Sequence, residues 1–308
     1  MTTPNQSNLG IRCDDPAVET QLAAWVAGGR LHPPRAVTLD VRVVERPALH
    51  SREGQLFEQP GVEIRSGGRQ GGVQISWRQA PAVAELSLGS SCATVLLSPA
   101  AVARLEECQN TFLTTVLIFL LRRAGWHHVH AATAIDPRGR GWLLAGNARA
   151  GKSTTTAWLA SRGWSVGTDD MAFLAPGQRV AVQAYRGPIA LRPEGQALLQ
   201  CTGGAFLERR GKMGFWPEEL GARWAQRVEP DLILFPSIGG ERTEVERLGA
   251  GDALTRLVRW SAWVLLEPEL AQEHLDLLTR LAAQAPAYRV TLGSDLFAHP
   301  ERLEAPLG

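Results

Sequence analysis

Gly146-Asn147-Ala148-Arg149-Ala150-Gly151-Lys152-Ser153 matches the phosphate-loop pattern G-x-x-x-x-G-K-[ST] in full. Each residue type has a physical task there. The glycines let the backbone wrap closely round an anion, and the amides of a new helix N-terminus point at it. Lys152 is placed to reach the β- and γ-phosphates, and the Ser153 hydroxyl to ligate Mg²⁺, with Thr154 extending the cradle. Arg149, inside the loop, either touches nucleotide or points to water. A glycine-rich turn that contains GKS by accident arises in on the order of one chain in a hundred of this length. The flanks tell against accident, because an apolar strand (Trp142–Ala145) enters the loop and a helix-forming stretch, TTTAWLASR, leaves it. The expected ligands are ATP and Mg²⁺.

Asp169-Asp170 follows Lys152 by 17 residues. The intervening helix should cross back over the sheet, and Trp164–Gly167 should run forward as a strand neighbouring the loop strand. The two carboxylates would then open on the sheet edge where ligands of open α/β sheets bind. One can take the proton of an attacking hydroxyl while the other holds the metal. The plain alternative is a solvated Asp-Asp turn. No later strand runs into an acid: Leu232–Phe235 leads into Pro236 and Ser237, and Asp231 stands at its wrong end. No NKxD motif follows. These features point away from GTPases, transporters and motor ATPases, and toward a kinase.

The blocks His130-Ala-Ala-Thr-Ala-Ile, Gly141-Trp-Leu-Leu-Ala-Gly-Asn-Ala-Arg-Ala-Gly-Lys-Ser and Arg162-Gly-Trp-Ser-Val-Gly-Thr-Asp-Asp resemble the bacterial HPr serine kinase/phosphorylase family, especially its shorter HPr-kinase-like relatives. The resemblance implies a P-loop kinase domain of the HPr-kinase-like type. It also implies Asp169 as proton acceptor, Asp170 near Mg²⁺, and His130, 22 residues before Lys152, beside the catalytic Asp. Tyr185-Arg186-Gly187-Pro188 is similar to the family's Arg-Gly motif, making Arg186 a candidate substrate or phosphate contact. The family's metal-binding Glu falls at Ala184, so the metal would lean on Ser153, Asp170 and water, or on another acid such as Glu194. The family's HPr-docking segment has no counterpart. The implied acceptor is a hydroxyl, as a serine of a peptide or protein or as a small molecule. The altered metal site leaves a catalytically silent nucleotide sensor, or an ATPase, as alternatives. His127 and His128 match nothing in the family and are read as structural.

Elements must position these groups. From Ser98 onward, apolar runs of strand length alternate with helical stretches: Lys152–Arg162, Asp252–Ser261 and Glu269–Ala283 as helices, Phe173–Leu174, Val180–Tyr185 and Leu232–Phe235 as strands. That pattern implies an α/β layer with a mainly parallel sheet. Residues 1–98 instead read as an antiparallel, strand-rich α+β domain, with strands at Val37–Val44, Val62–Arg65, Val73–Trp77 and Val83–Leu88 and one helix at Asp14–Gly28. The catalytic domain would then be 99–308, opening on Pro99–Arg123 as one long helix or two with a break near Asn110.

The 308 residues carry a net charge of +1, so no global field favours nucleic acid or an anionic membrane surface. Phe112–Leu121 is too short to span a bilayer. The four cysteines show no CxxC spacing, which argues against a zinc site and suits a reducing, cytoplasmic compartment. A homo-oligomer is left open. Phe206–Phe215 is a basic, glycine-containing stretch whose Arg209, Arg210 or Lys212 either closes over the phosphates or belongs to a solvated loop. The ten tryptophans are expected as core or interface anchors.

Overall fold

The computed structural model describes residues 8–49, 54–67, 71–207 and 211–304. It is a mixed α/β protein that divides into two compact units, Met1–His127 with Trp263–Gln272, and His128–Ala262 with Glu273–Gly308.

The first unit is built on one sheet of β1 (Leu9–Cys13), β2 (Val37–Val43), β3 (Gln55–Gln59), β4 (Val62–Ser66), β5 (Val73–Trp77), β6 (Ala82–Leu86) and β7 (Cys92–Leu97). Its order is β1-β2-β7-β6-β5-β4-β3. The strands were expected to be antiparallel throughout, yet β1–β2 and β2–β7 pair in parallel. The helix α1 (Pro16–Gly29) between β1 and β2 makes the first crossover. Asp15 caps it, accepting from the amides of Ala17 at 2.9 Å and Val18 at 3.2 Å, and Pro16 opens its first turn.

The stretch after β7 was expected to open the second domain, but it packs on the first sheet. Short helices α2 (Pro99–Val102) and α3 (Leu105–Cys108) lead through a π-helical turn, Gln109–Leu113, into α4 (Thr114–Arg123). The irregularity falls at Asn110, and α4 contacts β2, β6 and β7. Val116 through Leu121 are buried without interruption, so the helix needs cover on all sides. Contact density therefore places the boundary at residue 127 rather than near 98.

In the second unit the sheet order is β16-β12-β11-β8-β9-β17-β19-β18. The strands are β8 (His127–Ile135), β9 (Gly141–Ala145), β10 (Ser165–Val166, beside β8), β11 (Met171–Ala175), β12 (Ala181–Ala184), β16 (Arg227–Val228), β17 (Pro230–Ile238), β18 (Glu244–Leu248) and β19 (Ala287–Leu292). β17 pairs in parallel with both β9 and β19. The pairings β8–β9, β11–β12, β12–β16 and β18–β19 are antiparallel, so the sheet is mixed where a mainly parallel one was expected. β9 is buried on both faces. Trp142 and Leu144 join a core with helix α5 (Lys152–Ser161), while Leu143 and Ala145 face helices α7 (Ala250–Arg259) and α8 (Pro268–Gln284). That arrangement explains why β9 reads as a continuous apolar run. A small sheet, β13 (Ile189–Leu191), β15 (Lys212–Phe215) and β14 (Ala205–Leu207) in that order, adjoins helix α6 (Pro193–Leu199). Among the described residues no helix is long and apolar enough to cross a membrane.

Candidate functional site

The loop between β9 and α5 runs from Gly146 to Gly151. Gly151 caps α5 with φ +94°, and Arg149 also takes a left-handed backbone at φ +67°. Thr155 N–H is the first to bond back within the helix, to Gly151 O at 2.9 Å. The amides of Lys152, Ser153 and Thr154 thus belong to the first turn, where no intrahelical acceptor exists. Within the loop, Ala150 N–H donates to Asn147 O at 3.2 Å, and Ala148 N–H to Asn147 Oδ1 at 2.8 Å. Gly146 sits close to the end of β17, a Cβ on it lying 3.5 Å from Pro236 O.

Lys152 is buried, its ammonium donating to Gly146 O at 2.8 Å and Asn147 O at 3.0 Å. Burial pushes its pKa down to about 8, against the attraction of Asp170 and Asp169 and with further depression from Lys212. Three charged side chains, the adjacent Asp169 and Asp170 and the distant Lys212, therefore bear on this one ammonium.

Asp169 and Asp170 stand at the expected edge of the sheet, by a different route. Ser165–Val166 does not neighbour the loop strand, because β8 lies between them, antiparallel to both. Two reversals restore the direction, so β10 and β9 end on the same side. Thr168 shapes the turn: its Oγ1 accepts from the amides of Asp170 at 3.3 Å and Met171 at 3.1 Å, and its own amide donates to the buried Thr133 Oγ1 at 3.3 Å. Asp169 is buried and its Oδ2 accepts from Ala190 N–H at 3.1 Å, while Asp170 is about one-third exposed.

His130 is the fourth residue of β8 and lies at this same edge, two positions from the pairing of Ala132 with Leu144. It was expected beside Asp169. Its Nδ1 instead stands 2.6 Å from Asp170 Oδ1, so the second carboxylate of the pair is the one it orients.

Arg186 follows β12, with its guanidinium 4.7 Å from the Trp216 ring centroid and 5.9 Å from that of Trp224, and it pairs with Glu218 at 3.1 Å. Ala184 is fully buried, and a Cβ on Gly167 would come within 2.8 Å of its Cβ. A longer acid at 184 would have to fit a fully buried position. Glu194 is exposed in the first turn of α6, and the next residue, Gly195, lies against Thr154. Lys212 opens β15, partly buried. Arg209 and Arg210 lie outside the described residues. His127 and His128 are buried, with pKa values pushed down to about 3 and about 4 by desolvation, so both are neutral. Asp231, at the far end of β17, accepts from Gly141 N–H at 2.9 Å and pairs with Arg179 at 2.9 Å.

Among the described residues, no three His, Cys, Asp or Glu side chains converge to hold a metal by themselves. A hard cation with few protein ligands, completed by water and phosphate oxygens, is the kind the Ser153 hydroxyl and Asp170 carboxylate can serve. No protein-family model matches the chain, and no curated protein sequence matches it.

Sequence reasoning missed the Ala190 amide on Asp169 and the Thr168 turn. Backbone donors carry no sequence signal across 21 residues, whereas a Thr immediately before Asp-Asp is a readable turn former.

Proposed function

We propose that this chain is an ATP-dependent phosphotransferase that moves the γ-phosphoryl group to a hydroxyl, in the manner the resemblance to HPr-kinase-like proteins implies. The observation that carries the reading is the convergence of Asp169 and Asp170 on the buried ammonium of Lys152, at the end of a strand–loop–helix turn. The first-turn amides of α5 would cradle the phosphates. Lys152 would exchange the Gly146 and Asn147 carbonyls for phosphate oxygens, regaining full basicity beside that negative charge. Ser153 and Asp170 would hold Mg²⁺, which when bound supplies neutralising charge to the transferred group. His130 fixes the Asp170 carboxylate in place. Asp169, held by Ala190 N–H through one oxygen, would accept the acceptor's hydroxyl proton. A serine side chain of a peptide or protein, or a small hydroxyl compound, is the proposed acceptor, and cytoplasm the proposed compartment.

The test pairs two variants. Lys152→Ala should lose both ATP binding and transfer. Asp169→Asn should bind ATP within about threefold of wild type and lose on the order of 10²–10⁴ in turnover, the range of a general base. Transfer from ATP by the Lys152→Ala protein would sink the reading.

The full burial of Ala184, where a metal-binding Glu would stand, favours a second reading. In it the chain binds nucleotide as a sensor or assembly module without transferring phosphate. Unchanged biological activity in Asp169→Asn would select it.

A further inference from the structure

The mouth of the phosphate loop is chemically lopsided. Toward β8 and β11 stand His130, Asp169 and Asp170, and the charge of Lys212 also reaches Lys152. Toward β17 and β19 the neighbours of Gly151 are apolar. A Cβ built on Gly151 would lie 2.7 Å from Leu292 Cδ1 and 3.3 Å from Ile238 Cγ1. Ile238 ends β17 and is 68% exposed.

A single exposed isoleucine is ordinary. This one is held out by a rigid frame beside a glycine of the phosphate loop. Gly239 N–H donates to Leu292 O at 3.2 Å, joining the ends of β17 and β19. Asp295 Oδ1 accepts from both the amide and the hydroxyl of Thr243 at 2.7 Å, and Gly293 N–H donates to Thr243 Oγ1 at 3.2 Å. Gly293 has no room for a side chain, since a Cβ there would meet the Arg242 backbone at 2.3 Å. Ile238 is thus presented on a fixed scaffold, as a preformed contact should be.

A nucleotide is lopsided in the same sense, with charged phosphates at one end and a flat, largely apolar base at the other. Transfer requires the γ-phosphate to face the carboxylates, which sends the base to the opposite flank. We infer that Ile238, backed by Leu292, is the shelf on which the nucleobase lies, making it a determinant of affinity for nucleoside over bare polyphosphate. The inference rests on the nucleotide-binding reading above.

Calorimetric binding of ATP and of inorganic tripolyphosphate to wild type, Ile238→Ser and Ile238→Leu separates the two. ATP should bind wild type and Ile238→Leu alike, and Ile238→Ser about tenfold more weakly, the scale of 1.4 kcal/mol of lost apolar contact. Tripolyphosphate should bind all three equally. Wild-type ATP binding that Ile238→Ser leaves unchanged, or a loss shared equally by ATP and tripolyphosphate, overturns the shelf and spares the nucleotide reading. Failure of wild type to bind either ligand overturns both.

Discussion

At the scale of residues, Lys152 carries a cost that its own pKa exposes. An unfolded lysine takes up its proton below the ordinary value of 10.5, and the folded Lys152 only below about 8. Between those values the unfolded chain holds more protons, so the lysine's contribution to stability improves as pH rises through the window and is most unfavourable below pH 8. Lys152→Met should therefore stabilise the second unit at pH 7 by about 1–3 kcal/mol. Its advantage over wild type should shrink as pH climbs from 8 to 10.5. Denaturant titrations of both proteins across that range would show it, and a variant less stable than wild type at pH 7 would contradict it. A site for a bound anion is the ordinary reason to keep such a residue.

At the scale of elements, two glycines, one at the start of β9 and one at the start of α5, do different work. Gly141 starts β9, and a Cβ there would lie 2.1 Å from the backbone oxygen of Glu229, which no side-chain rotation can relieve. Gly141→Ala should force β9 and β17 apart and cost about 3 kcal/mol or more. Gly151 holds φ +94°, and a Cβ there would meet side-chain ends, of Leu292 and Ile238, rather than backbone. Gly151→Ala should then cost about 1–3 kcal/mol of backbone strain. It should also distort the amides of the first turn of α5, so its effect on nucleotide affinity should exceed its effect on stability. Urea unfolding and ATP titration of the two variants give the contrast; equal stability losses would refute the distinction.

At the scale of the whole molecule, the chain returns to its first unit after completing most of the second. Glu267 is buried there with Arg123 at 2.5 Å and Arg122 at 3.5 Å, and Arg122 also donates to Trp263 O at 2.5 Å. Trp263 packs edge-on against Phe119, with ring centroids 5.2 Å apart. Glu267→Ala would leave two buried guanidinium groups without their carboxylate. It should destabilise the first unit by about 3–5 kcal/mol, the usual consequence of breaking a buried pair from one side. A fall in the denaturation midpoint is the expected readout, and an unchanged midpoint would show the ion cluster to be dispensable.

The parts legible in the sequence are those set by local forces. The strand, glycine loop and helix start at Lys152 follow from residue types within a dozen positions, as do the Asp15 cap and the break near Asn110. Tertiary packing decided the rest. Strand direction depends on partners far along the chain, so β8 between β9 and β10 and the parallel pairs beside β2 left no periodic trace. The Pro99–Arg123 stretch went to the first unit because apolar patterning says that a helix is buried, and never against what. The pairing of His130 with Asp170, and of Asp169 with the Ala190 amide, joins positions far apart in the chain that only the folded structure brings together.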